Sequence, residues 1–84
     1  MRTVAVEYAA QGVLANCVAP GFVDTELTRR NNPPTAIAEL LERVPVGRLA
    51  TVDEVGKAVA FLMSSSNTYV TGQTLAVDGG FACT

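Results

Sequence analysis

The sequence predicts an α/β fold in which helices cover a parallel sheet, on the strength of three observations. Residues 13–19 (VLANCVA) are apolar on both parities except at Asn16, the pattern of a strand covered on both faces. A second short run, residues 73–77 (QTLAV), is strand-like and closed by Asp78-Gly79-Gly80. Helical periodicities lie between them, and buried strands joined through a helix imply a parallel pair in a βαβ arrangement.

Each element follows from local signals. Across residues 1–11, Met1, Val4, Ala5, Tyr8 and Ala9 recur at helical spacing, and Gly12 readily takes the left-handed conformation that ends a helix. Met1 already lies on the apolar stripe with nothing before it to cap the first turn, so this segment is expected to be the later part of a longer helix. Pro20-Gly21 stops the first strand, and Asp24 to Arg30 suggest a short helix. Asn31-Asn32-Pro33-Pro34 marks a break, with Asn32 as N-cap and Pro33 at the first position of the next helix. Ile37, Leu40, Leu41 and Val44 form that helix's apolar face, and Pro45 ends it.

Thr51-Val52-Asp53-Glu54 is a capping box: Thr51 accepts from the third helical amide while Glu54 reaches back. It opens a helix whose apolar face is Val52, Val55, Val59, Leu62 and Met63, running to the cluster Ser64-Ser65-Ser66-Asn67. Two strands are too few for an independently stable sheet, so the chain is expected to form one edge of a larger α/β layer structure.

The 84 residues are 49% hydrophobic and 17% charged, a globular composition that accommodates one domain or part of one. Six Lys and Arg against eight Asp and Glu give a net charge of −2, which provides no basic stripe, so neither nucleic acid nor a membrane is expected as a partner. The absence of histidine excludes His-dependent triads, HExxH sites and Cys/His zinc fingers, and no metal site is expected. Cys17 and Cys83 form no CxxC pair, no apolar run approaches the ~20 residues of a membrane span, and the N-terminus carries no signal-peptide pattern. A cytoplasmic chain with reduced thiols is expected.

In open parallel sheets, ligands lie beyond the carboxyl ends of the strands. Residues 20–25 (PGFVDT) leave such an end and are the best site candidate. Gly21 would let backbone approach a ligand, Thr25 offers a hydroxyl, and the following helix would aim free amides at an anion. The alternative is local: Pro-Gly terminates a strand, and Asp24 or Thr25 caps a short helix.

The segment 13–25 (VLANCVAPGFVDT) resembles the late strand and PGxxxT loop of short-chain dehydrogenases/reductases. The resemblance continues in order through residues 45–48 (PVGR), the helix opened by Thr51, and the ending TGQTLAVDGG at 71–80. It implies the C-terminal part of a doubly wound Rossmann-type parallel sheet, in the order helix, strand, lid helix, helix, strand. Residues 1–84 would form a partial domain whose N-terminal cofactor-binding half is absent. It further implies that Pro20 and Gly21 shape the nicotinamide side of an NAD or NADP site, that the Val23 backbone faces the carboxamide, and that Thr25 bonds the carboxamide or the pyrophosphate.

Residues 26–44 are similar to the family's substrate loop and lid helix. The last strand with Gly79-Gly80 is similar to a subunit contact, which implies a homo-oligomer. Asn16 is similar to a structural residue, and a buried amide bonded to neighbouring backbone is also its local reading. Leu14 and Ala15 depart from the family, which usually has a basic and a larger β-branched residue there.

Other family parts are missing. The glycines at 12, 21, 47, 56, 72, 79 and 80 form no GxGxxG or TGxxxGxG loop, and neither Tyr8 nor Tyr69 is followed at the fourth position by Lys. Carbonyl reduction needs a positioned cofactor and a proton donor, which the family supplies with Tyr, Lys and Ser. No catalytic residue is therefore assigned in this chain. The resemblance implies a C-terminal fragment of an NAD(P)-dependent oxidoreductase that interconverts an alcohol and a ketone, with a small-molecule substrate, and that is inactive alone. The alternative is a non-catalytic oligomerisation or interaction module derived from that family.

Overall fold

The computed structural model describes residues 1–84. Helix α1 (Arg2–Tyr8) runs into a 3-10 turn (Ala9–Gln11) closed by Gly12 in the left-handed conformation, as its spacing predicts. Strand β1 (Cys17–Pro20), helices α2 (Glu26–Asn31), α3 (Pro34–Glu42) and α4 (Val52–Met63), and strand β2 (Thr74–Val77) follow, and a final 3-10 turn spans Phe81–Cys83. The strands pair in parallel, Cys17 opposite Thr74 and Pro20 opposite Val77. Helix α4 packs on both of them.

Strand β1 is shorter than its apolar run and begins four residues later. Ahead of it, side chains replace the backbone ladder: the Ala15 amide donates to Thr71 Oγ1, while the Asn16 amide group donates to the Val70 carbonyl and accepts from the Gln73 N–H. Asn16 thus has the structural role expected of it. Neither strand is covered on both faces: β1 is half-buried only at Cys17 and Val18, and β2 only at Val77. Helix α4 is the one element packed appreciably on either strand, so the doubly covered expectation fails within this chain.

Thr51 and Glu54 form the predicted capping box, and α4 starts where it places the first turn. Its inner face is Val55, Ala58, Val59 and Leu62; Val52 and Met63, expected there, are exposed at the two ends of the helix. The start of α3 also shifts. Pro33 is the N-cap and Pro34 the first helical residue, because the Asn32 side chain is used to donate to the Thr28 carbonyl at the end of α2. Behind α4, Asn67 is buried and ties the helix to β2. Its amide donates to the Leu62 and Val70 carbonyls and accepts from the Tyr69 and Val70 N–H groups.

The only other buried residues are Ala5, Ile37, Val44 and Leu49. The chain is elongated, 49 × 24 × 19 Å, with a radius of gyration of 15.6 Å. A compact domain of this length would have roughly 12 Å.

Candidate functional site

Parallel pairing puts the carboxyl ends of both strands on one edge, and the candidate loop leaves from there. The Cys17 N–H donates to the Gln73 carbonyl and the Gly21 N–H to the Val77 carbonyl. Alternate residues of β1 therefore bond to β2, and Pro20, which lacks an N–H, falls on the side that makes none. Gly21 is required by close approach: a Cβ there would lie 2.8 Å from both Cα and Cβ of Asp78.

Past Gly21 the chain changes partner. The Ala50 N–H donates to the Phe22 carbonyl at 2.9 Å, and the Asp24 N–H donates to the Ala50 carbonyl at 2.8 Å, so Val23 and Ala50 form a parallel bridge. In such a bridge the N–H and C=O of Val23 point away from Ala50. Neither makes a hydrogen bond within the chain. One donor and one acceptor on adjacent backbone, half-buried at the carboxyl edge, complement a primary carboxamide, which has one acceptor oxygen and an NH₂ donor.

Thr25 is the N-cap of α2. Its Oγ1 accepts from the Thr28 N–H at 3.1 Å and lies 2.9 Å from Thr28 Oγ1. When the Thr28 hydroxyl is the donor of that pair, the Thr25 O–H remains free to donate outward. Helix α2 offers an anion little, since Glu26 occupies its first turn and the Thr28 amide is already used.

Asp24 and Glu54, beside the loop, are held as anions. Arg29 grips Asp24 through Nε at 2.6 Å and Nη2 at 2.9 Å, and this bond holds the Asp24 carboxyl below its ordinary value. Arg48 grips Glu54 at 2.8 and 2.9 Å; that bond, with the Thr51 amide second, lowers the Glu54 carboxyl to about 2. A general acid needs a pKa near the working pH, so neither carboxyl is suited to donate a proton near neutrality. Both tyrosines precede a strand, Tyr8 before β1 and Tyr69 before β2, which sets them at the amino edge, away from the loop. Neither of these carboxyls nor either tyrosine is therefore placed to donate a proton to a carbonyl at this edge.

A cavity of about 110 Å³ lies under this edge, lined among others by Phe22, Val44, Val77, Asp78, Arg48 and Glu54. Its roof is the turn 43–47 seated on the C-terminal turn. The Val46 N–H donates to the Gly79 carbonyl, and a Cβ on Gly79, whose φ is +63°, would lie 2.9 Å from Val44 Cγ1. The structure thus joins Pro20, Gly21, Val23 and Thr25 to residues that the pattern alone did not single out for the site: Ala50, Asp78 and Phe81. Ala50 pairs across a long loop and has no local signal. Asp78 was legible as a turn former, and its carboxylate accepts from the Gly80 and Ala82 N–H groups. Of the apolar face expected for α3, Ile37 is buried and Leu40 and Leu41 half-buried, and Val44 just past its end is buried.

Parallel strands under a helix, with a glycine-tight loop at their carboxyl edge, are the arrangement beside which open α/β sheets place their ligands. A family model described as enoyl-(acyl carrier protein) reductase matches residues 1–82. The chain is 48% identical over 80 residues to a cis-4-hydroxycyclohexanecarboxylate dehydrogenase of Sinomonas cyclohexanicum, covering 95% of this chain and 32% of that protein. It is 44% identical over 79 residues to the 3-oxoacyl-[acyl-carrier-protein] reductase FabG of Escherichia coli K12, covering 94% and 32%.

Among solved structures, it superposes on a putative 2-deoxy-D-gluconate 3-dehydrogenase from Agrobacterium tumefaciens with bound NADP at a TM-score of 0.90 and 34% identity, covering 99% of this chain and 34% of that one. ElxO with NADP bound matches at 0.89 and 30% identity, covering 99% and 34%. The chain belongs to the short-chain dehydrogenase/reductase family. It spans about a third of the length of the curated relatives it matches.

Proposed function

We propose that residues 1–84 form the C-terminal wall of the nicotinamide site in an NAD(P)-dependent oxidoreductase that interconverts an alcohol and a ketone, and that this chain is inactive alone. The observation that carries the reading is the Val23 backbone, whose N–H and C=O are freed together by the bridge to Ala50. These two groups would hold the carboxamide, Gly21 and Pro20 would shape the approach to it, and Thr25 would add a hydroxyl. When bound, the dinucleotide supplies or accepts the hydride. This chain's share is to orient the nicotinamide; the cofactor-binding half and the proton donor belong to polypeptide beyond these residues, in keeping with relatives three times as long.

A homo-oligomer formed through the outer edge of β2 and a cytoplasmic setting belong to the same reading. The test is calorimetric titration of NADP and NAD into the native polypeptide that carries residues 1–84. Thr25→Val should weaken the dinucleotide by about one hydrogen bond, on the order of 0.5–1.5 kcal/mol. Thr25→Ser, which keeps both the hydroxyl and the helix cap, should bind as the parent does. Absence of binding by either cofactor in the folded parent would overturn the reading and favour the non-catalytic module.

A further inference from the structure

We propose that Phe81 is a positioning residue that latches the far end of the α2–α3 segment to the candidate loop. Residues 25–42 make no hydrogen bond to any residue outside 24–44. Its directional tethers are therefore at its ends, with the apolar face at Ile37, Leu40 and Leu41 as the packing between them. On entry, the Asp24 N–H bonds to Ala50. On exit, Arg43 lies over the Phe81 ring with Cζ 5.3 Å from the centroid, and the same ring meets Phe22 edge-to-face at 5.2 Å and 81°.

Both contacts are attractive for the same reason. The electron-rich face of one ring receives the guanidinium, and an aromatic pair at this angle sets ring edge against ring face. Phe81 is itself fixed from below. Asp78 holds the Gly80 and Ala82 amides, the Gly79 carbonyl accepts from Val46, and a Cβ on Gly80 would lie 3.1 Å from Pro45. Any swing of α3 away from the sheet must pull Arg43 off the ring, and any shift of Phe22 disturbs the same ring. The C-terminal turn thus sets how α2 and α3 stand over the loop.

The inference rests on the proposed function only in taking that loop as the nicotinamide wall. Limited trypsinolysis of the native polypeptide carrying residues 1–84 tests it, with cleavage after Arg43 followed by mass spectrometry against cleavage after Lys57, on α4 outside the segment, as internal reference. Val44 is buried, so cutting after Arg43 requires the turn to open, and the rate follows the open population when reclosing is fast. Phe81→Leu keeps bulk and loses the ring; it should raise the Arg43 rate about two- to five-fold relative to Lys57, the range an exposed cation–π contact supplies.

Phe81→Tyr, which restores an aromatic face, should return the rate to the parent's. If Phe81→Leu does not fold, Phe81→Met, which likewise fills the space without an aromatic face and leaves the Arg43 cleavage site untouched, should show the same rise. An unchanged rate in the folded variant, or equal susceptibility of Phe81→Tyr and Phe81→Leu, overturns the latch. Loss of the cofactor reading, judged by calorimetry on the parent, leaves this comparison standing.

Discussion

Beyond the carboxyl edge of the strands, Gly21 lies against Asp78, Gly79 against Val44 and Gly80 against Pro45, and Asp24 and Glu54 are each gripped by an arginine. Around α1 and the connection from α4 to β2, by contrast, Val6, Met63 and Tyr69 are 80%, 82% and 94% exposed. Polar bonding does not separate the two regions, since Asn16, Asn67 and Thr71 are well bonded in the second. Apolar cover does. The site end closes on the chain's own side chains, whereas the flanks and the open strand edge are surfaces suited to burial against further polypeptide.

The strongest way to break this comparison is to study the 84 residues by themselves. With so few residues buried, the chain alone should self-associate or lose fixed packing, because a core of this size rarely supplies more than ~3–5 kcal/mol even when complete. Near-UV circular dichroism and sedimentation decide it: a monodisperse monomer with a sharp cooperative transition would show the flanks need no cover.

The remaining measurements are made by denaturation of the native polypeptide. Gly21→Ala should destabilise by roughly 1–3 kcal/mol, because its Cβ meets backbone and not a yielding side-chain tip. Gly56→Ala is the counterpart. It lies within α4 with nothing within 4 Å of the added Cβ and should stabilise by roughly 0.5–1 kcal/mol. Equal effects would mean that the site end is no tighter than an open helix surface.

In the other region, Asn67→Ala removes a buried amide that pairs four backbone groups, at an expected cost of roughly 1–3 kcal/mol. A negligible cost would show that solvent reaches those groups and that the flank is looser than drawn. Thr51→Ala should cost ~1 kcal/mol by removing the cap of α4, with an unmoved midpoint placing the start of the helix elsewhere.

The smallest effect concerns pH. Glu54 titrates lower in the fold than in the unfolded chain, so the unfolded state binds the extra proton first, and stability from this group is fully present above about 4.5 and lost as pH falls toward about 2. Glu54→Gln should flatten that part of the acid limb in a pH titration of stability. The side chain is exposed, so the change is modest.

Several features were legible because their causes are local. The capping box needs only Thr51 and Glu54 three residues apart, and Gly12 and the Pro20-Gly21 stop act on their own neighbours. The ordered pattern from residue 13 to residue 80 was enough to indicate the family. The Arg48–Glu54 grip spans six residues across a turn, a spacing for which no single-element rule exists. Val23 as a residue of interest came from resemblance; the reason its amide and carbonyl are free came from Ala50, twenty-seven residues later.

The sequence alone therefore determined which segments are helical, where α4 begins, which runs are strand-like and which loop leaves a carboxyl edge, since these depend on backbone preference and periodicity within a few residues. Tertiary structure decided the rest: that Val52 and Met63 at the two ends of α4 stay outside its packed face, that Gly21 must be glycine because Asp78 lies against it, and that Phe81 stands between Arg43 and Phe22. Those outcomes depend on distances between segments far apart in the chain, and they are set only once the parallel register of β1 and β2 brings both carboxyl ends to one edge.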